Sequence, residues 1–300
     1  MAQIGDNAKK ILGFGEKTLG DQVVSPFTGK TYELKFIDDF EGDTLNEKNW
    51  SYDERNAQNG ELQAYRRKNI VVRNGLLEIT GKKEKEYGKV DGSDEIIEHE
   101  YTSGKIISRG KVEYQYGRFE MYGKLPEGQG MWPAFWTLGS KRGWPWGGEI
   151  DIMEMVGGDD QWDNKNRDGQ NLYSLHWADP DVTPEDAWHT GKGTQHKLFG
   201  KYDLPGRAKG DKLGDEYHLY GVEWLPDRII AYFDDQKVSE VDITDPTMRE
   251  AYHQPHYMLI NLAIGGVWAL GFDWEGNYIH EDTLPQKLLV DWVKVWQEKK

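Results

Sequence analysis

The chain has 300 residues, 13 of them Trp and 16 Tyr, a net charge of −15 and no cysteine. The missing thiols exclude disulfides and thiolate chemistry, and the acidic balance argues against nucleic acid or an anionic membrane as partner. The same sign disfavours a heavily sulfated or carboxylated polymer, which calls for clustered Arg and Lys, and leaves a neutral substrate as the better fit.

Residues 1–30 are polar and punctuated by Gly and by Pro26-Phe27-Thr28-Gly29, which reads as a loosely attached lead-in. The rest, 31–300, reads as a single β-domain without repeats or linkers. Short β-rich runs alternate with turns from Leu34 onward. Asn69 to Arg73 and Leu76 to Thr80 flank Asn74-Gly75, a hairpin signal because both turn positions tolerate positive φ. Further strand-like runs are Tyr101 to Ser108, Tyr116 to Lys124, Tyr217 to Trp224, Ile229 to Asp234, Tyr257 to Ile264 and Leu288 to Gln297. Helical periodicity is confined to a turn or two over Asp245 to Tyr252, capped by Asp245 with Pro246 first. Gly157 to Asn171 and Asp179 to Gly214 are polar and irregular, and on a sandwich such loops would rim a cleft. The pattern predicts an all-β, two-sheet antiparallel sandwich.

One strand-like run is chemically unusual. Gly148-Glu149-Ile150-Asp151-Ile152-Met153-Glu154 places three carboxylates among apolar residues, where charge is costly unless used. Alternation sends Glu149, Asp151 and Met153 one way and Ile150, Ile152 and Glu154 the other. A β-bulge, one extra residue in the strand, would return Glu154 to the face of the other acids. Glu149 and Glu154 would then be about 13 Å apart along the backbone, and inward-leaning side chains would close this to about 5–5.5 Å, the separation used by retaining glycosidases. The alternative is a half-buried strand whose acids are paired or solvated, although acids on a plain ladder repel one another.

Further segments carry a resemblance. They are Tyr101 to Ile106, Tyr116 to Glu120, Lys124 to Trp136 with Met131-Trp132-Pro133-Ala134-Phe135-Trp136, and Gly143-Trp144-Pro145-Trp146-Gly147-Gly148 before the acids. Asn59-Gly60-Glu61-Leu62-Gln63 and Val290-Asp291-Trp292-Val293-Lys294-Val295-Trp296 complete the set. Together they resemble glycoside hydrolase family sixteen, in its laminarinase-like endo-β-1,3-glucanase branch, from about Leu34 to Gln297. The resemblance implies a β-jelly roll with an open concave cleft for a β-glucan chain. It implies Glu149 as nucleophile, Glu154 as acid/base and Asp151 as the residue tuning both, with Met153 as the extra residue of the family's bulged branch. The implied activity is endo-acting, retaining hydrolysis of β-1,3 bonds in laminarin-type and mixed-linkage β-1,3/1,4-glucans. A neutral galactan hydrolase (agarase-like), a transglycosylase of the same fold and a non-catalytic glucan-binding module are the alternatives.

His176 falls on a neighbouring strand, either near the acids or as a core histidine. Trp144, Trp132 and Trp136 are candidates for sugar stacking. Asn59, Glu61, Gln63 and Arg118 either bind sugar hydroxyls or satisfy loop backbone. No cofactor is expected for catalysis. The resemblance implies a structural Ca²⁺ held by Asp291, the Gly75 carbonyl and an acid from Asp39 or Glu41, oxygen donors that suit this ion. No apolar run approaches the roughly 20 residues of a membrane helix, and nothing demands a partner chain, so a monomer without membrane insertion is expected. The start, Met1 to Asp6, lacks a signal pattern. A polymeric substrate nevertheless favours a secreted, periplasmic or cell-surface enzyme whose leader is already removed.

Overall fold

The computed structural model describes residues 20–55, 59–89, 94–158, 167–183, 196–203, 211–234, 236–270, 279 and 281–300. β1 (Gln22–Val24) and β2 (Thr31–Asp38) come first, then β3 (Ser51–Tyr52), β4 (Gln63–Tyr65), β5 (Ile70–Arg73) and β6 (Leu76–Lys89). β7 (Ile96–Ser103), β8 (Lys105–Ile107), β9 (Glu113–Tyr114) and β10 (Gly117–Lys124) lead to β11 (Met131–Gly139), β12 (Glu149–Glu154) and β13 (Gln170–Trp177). The remainder holds β14 (His196–Asp203), β15 (His218–Trp224), β16 (Arg228–Phe233), β17 (Gln236–Asp242), β18 (His256–Ile264) and β19 (Gln286–Glu298).

These strands make two sheets, as expected for a jelly roll. One runs β17-β16-β15-β10-β19-β6-β7-β4, with β2 also on β19, β1 on β2 and β5 on β6. The other runs β14-β13-β12-β11-β18-β8-β3, with β9 also on β18. Pairing is antiparallel except between β4 and β7. Among the described residues no helix is long and apolar enough to cross a membrane.

Sequence dictates several local details. Arg73 pairs with Leu76 around Asn74 and Gly75, whose φ values of 55° and 70° are what a tight primed turn requires. Asp245 caps a 3₁₀ turn at Pro246–Met248 by accepting from the Thr247 amide at 2.8 Å. The core lies between the sheets. Phe119, Met121, Val293 and Val295 meet Phe135, Ile150, Ile152 and Ile260 there, all essentially inaccessible. Each such burial stabilises the fold by about 1.5–3 kcal/mol relative to exposure.

Two expectations of chain organisation need correction. Residues 20–30 belong to the fold: β1 pairs with β2, and Thr28 and Tyr32 donate to Glu223 Oε1 at 2.6 and 2.9 Å. Ser25 donates to the same carboxylate. Short polar side chains read as a lead-in because their buried partner lies nearly 200 positions away. Likewise, part of the run Asp179 to Gly214 is the edge strand β14 and not a loop. Residues 1–19, 159–166, 184–195 and 204–210 lie outside the described residues.

Candidate active site

The site is built on β12, and the bulge is real. Against β11, Glu149, Ile150 and Asp151 pair with Leu138, Thr137 and Trp136, then Met153 and Glu154 pair with Phe135 and Ala134. Ile152 is therefore the extra step, not Met153. Ile152 and Met153 are successive residues yet both are buried in the core between the sheets. That double inward turn is what returns Glu154 to the face of Glu149 and Asp151. On the other side β13 sets His176 against Glu149 and Ser174 against Asp151.

Each acid is held by neighbours. Trp144 donates its indole N–H to Glu149 Oε2, and Trp132 donates to Glu154 Oε1 at 3.0 Å. Ser174 donates its hydroxyl to Asp151 Oδ2 and lies 3.5 Å from Glu154 Oε2, which makes it the bridge between the central and the last acid. His176 Nε2 sits 3.4 Å from Asp151 Oδ2 and 3.3 Å from the Ser174 hydroxyl. One oxygen or nitrogen atom each of Glu149, Asp151 and His176 lies within 4.8 Å of the others. Desolvation pushes the Glu149 carboxyl well above the usual carboxylate range, and the charge and hydrogen bond of Asp151 push the same way. Glu154 adds to this and the Trp144 indole pulls against it. The Glu149 carboxyl therefore gives up its proton less readily than an ordinary glutamate.

A cleft of about 1100 Å³ runs over the acids. Trp132, Trp136, Trp144, His176 and Asn59 line it. Trp144 is 50% exposed and presents its ring while its nitrogen holds Glu149. Trp136 is half-buried and donates to Asn261 Oδ1 at 2.8 Å. Trp132 is braced edge-on by Trp268 with centroids 5.1 Å apart. Glu61 reaches the cleft wall beside Tyr65 and Asn261.

Two candidates do not line the cleft. Gln63 is 0% exposed; its Oε1 accepts the Ile264 amide at 2.7 Å and its Nε2 donates to Glu61 at 2.7 Å, so it positions Glu61. Arg118 lies on β10 in the opposite sheet, alternating with core-facing Phe119 and Met121, and thus points to that sheet's outer side. There it donates to Glu120 Oε1 at 2.7 Å and to the Tyr232 hydroxyl at 3.1 Å.

The residues named for calcium do gather at one end of the outer sheet. Val290 pairs with Leu77 and Val293 with Asp38, which brings Asp291 beside the Asn74-Gly75 turn and the Asp39–Glu41 loop. A Cβ on Gly75 would lie 2.9 Å from Glu41 Oε1, so Glu41 touches the turn. Asp39 instead accepts the Glu41 amide at 3.4 Å. Glu41, Asp291 and the Gly75 carbonyl are an all-oxygen set that fits Ca²⁺.

Sequence reasoning missed Ser174 beneath the acids and several cleft residues, Asn261, Tyr65, Lys105, Tyr257 and Trp268. Parity held the signal for two of them. Ser174 is two positions from His176 on one strand, and Asn261 is a lone amide inside the apolar run Met258 to Ile264.

The chain is similar to known proteins in both sequence and fold. Residues 33–298 match the family model described as "Beta-porphyranase A-D, GH16 domain". A "Beta-glucanase" of Rhodothermus marinus is 31% identical over 288 residues, covering 89% of this chain and 85% of that protein. "Glucan endo-1,3-beta-glucosidase A1" of Niallia circulans is 29% identical, and there the chain spans 38% of the relative's length. The crystal structure of an endo-β-1,3-glucanase from Pyrococcus furiosus superposes with a TM-score of 0.73 at 29% identity, covering 94% of this chain and all of that one.

Proposed function

Because the chain belongs to glycoside hydrolase family sixteen, we propose that it is an endo-acting, retaining β-glucanase cutting β-1,3 bonds in laminarin-type and mixed-linkage glucans. The observation that carries this reading is the bulged β12, which sets Glu149 and Glu154 on one cleft face with Asp151 between them. Glu149 attacks the anomeric carbon as the glycosidic bond breaks, while Glu154 delivers its proton to the departing sugar oxygen. A glycosyl-enzyme ester results. Glu154, now ionised, takes a proton from water, whose oxygen displaces Glu149 and restores the original configuration. Asp151, held by Ser174 and His176, stands between the two glutamates and orients Glu149. The relatives named for β-1,3-glucan support the glucan, and polymers of this size place the enzyme's work outside the cytoplasm.

A galactan is the second reading, favoured by the porphyranase description of the matching family model. Reducing-end assays on laminarin, barley β-glucan, agarose and porphyran should give the highest kcat/KM on laminarin. A galactan in first place would overturn the glucan assignment while leaving the acid machinery intact.

The same reading gives a structural Ca²⁺ to Glu41, Asp291 and the Gly75 carbonyl. Added Ca²⁺ should raise the thermal midpoint in a chelator-reversible way, because an ion bound only by the folded state stabilises it. Asp291→Asn should lose most of that rise. An equal rise in the variant would remove Asp291 from the site.

A further inference from the structure

The acidic chain gathers cations at one end of its cleft, where Arg55, Lys105 and Arg109 are among the lining residues. Two of them are committed. Arg55 donates to Asp53 through Nε and Nη2, both at 2.8 Å, and Lys105 Nζ lies 3.1 Å from Asp53 Oδ2. Arg109 differs. It is exposed, and among the described residues no acidic side chain stands within ion-pair distance of it. Its guanidinium carbon lies 5.5 Å from the centroid of the Tyr257 ring. The charges of Arg109 and Arg55 both oppose the burial that raises the Tyr257 hydroxyl. The nearby Glu113 spends Oε1 on the Gly110 amide at 2.7 Å. Three cations thus face two carboxylates, Asp53 and Glu113, and Arg109 is left with an unused fork of donors. That fork matches the oxygens of a sulfate ester or carboxylate, and Tyr257 fixes its plane.

Register places this feature relative to the chemistry. Leu138 pairs with Glu149 on one side and Tyr257 on the other, while Ile107 of β8 pairs with Leu259. Arg109, two residues past Ile107, lies in the turn between β8 and β9, and Glu113 of β9 pairs with Tyr257. Three strand spacings separate β12 from β8, roughly 14 Å. A glycan laid across the strands would bring a sugar other than the reacting one to Arg109.

Resting on the glycanase reading above, we propose that Arg109 and Tyr257 form a subsite for an oxyanion substituent, sulfate ester or carboxylate, on a sugar removed from the scissile bond. The measurement is kcat/KM on neutral laminarin and on laminarin lightly sulfated or lightly carboxymethylated, for the native enzyme, Arg109→Met and Arg109→Lys. The ratio of charged to neutral substrate should fall about tenfold in Arg109→Met, the size of one charge-assisted hydrogen bond. It should recover in part in Arg109→Lys and shrink at high salt. The derivative with the larger fall identifies which substituent the subsite takes. Affinity electrophoresis in gels holding each polysaccharide gives the same ratio without turnover, so a failure of the glucanase reading shows separately, as absent cleavage of neutral laminarin. Equal ratios in native enzyme and Arg109→Met, by both methods, would overturn the subsite.

Discussion

Glu149→Gly is expected to lower kcat on laminarin by on the order of 10⁴-fold or more, the scale seen when a covalent nucleophile is removed, and azide is expected to restore turnover. The argument is steric and stereochemical. Removing the side chain opens a space against the anomeric carbon on the face where the carboxylate stood. Azide enters that space and attacks as the glycosidic bond breaks, Glu154 protonates the leaving oxygen, and one displacement leaves an α-glycosyl azide from a β-glycoside. Chromatography and proton NMR of the product read the anomer. Trp144 loses its acceptor in this variant, so a circular dichroism melt should accompany the assay to show that the fold survives.

The native enzyme's pH profile belongs to the same expectation. The Glu149 carboxyl is pushed up by desolvation and by Asp151, and its protonated form cannot attack. Activity is therefore lost as pH falls through the raised value, and the acidic limb of kcat/KM should lie above the ordinary carboxylate range. A limb at ordinary carboxylate values would mean that bound water or substrate relieves the desolvation before the attack.

How much of this was legible in the chain depends on where each cause lies. Strand alternation and the Asn74-Gly75 turn are local, and both appear as read. The need for a bulge was legible because three acids on one apolar run leave no other economical arrangement. Its exact step was not, since Ile152 and Met153 are both apolar and either can turn inward. The pairing with β11 makes that choice. Trp132 and Trp144 were read as flat faces for sugar, yet their nitrogens hold Glu154 and Glu149, a contact that no residue spacing announces. Arg118 and Gln63 misled for a related reason. A polar side chain in a strand reads as accessible until its buried partner is known, and Glu120, Tyr232 and Ile264 come from pairings that only the folded sheets define.

Glu154→Gln is the complementary variant, and its phenotype depends on the leaving group. The amide keeps a carbonyl oxygen to accept the Trp132 indole, so the site should hold its shape and the melting temperature should move little. The amide cannot deliver a proton, so kcat on laminarin should drop by about 10²–10⁴-fold, the usual contribution of general acid–base catalysis. A glucoside whose leaving group is a strongly acidic phenol does not need that proton. Its first step should run at close to the native rate, giving a burst of phenol followed by a slow phase, because water lacks a base to open the glycosyl-enzyme. Azide, anionic already, needs no base and should accelerate the slow phase. It attacks an ester formed with one inversion and inverts again, so the product is the β-glycosyl azide. The two variants thus yield opposite anomers with one nucleophile, and an α-azide from Glu154→Gln would exchange the roles of the two glutamates.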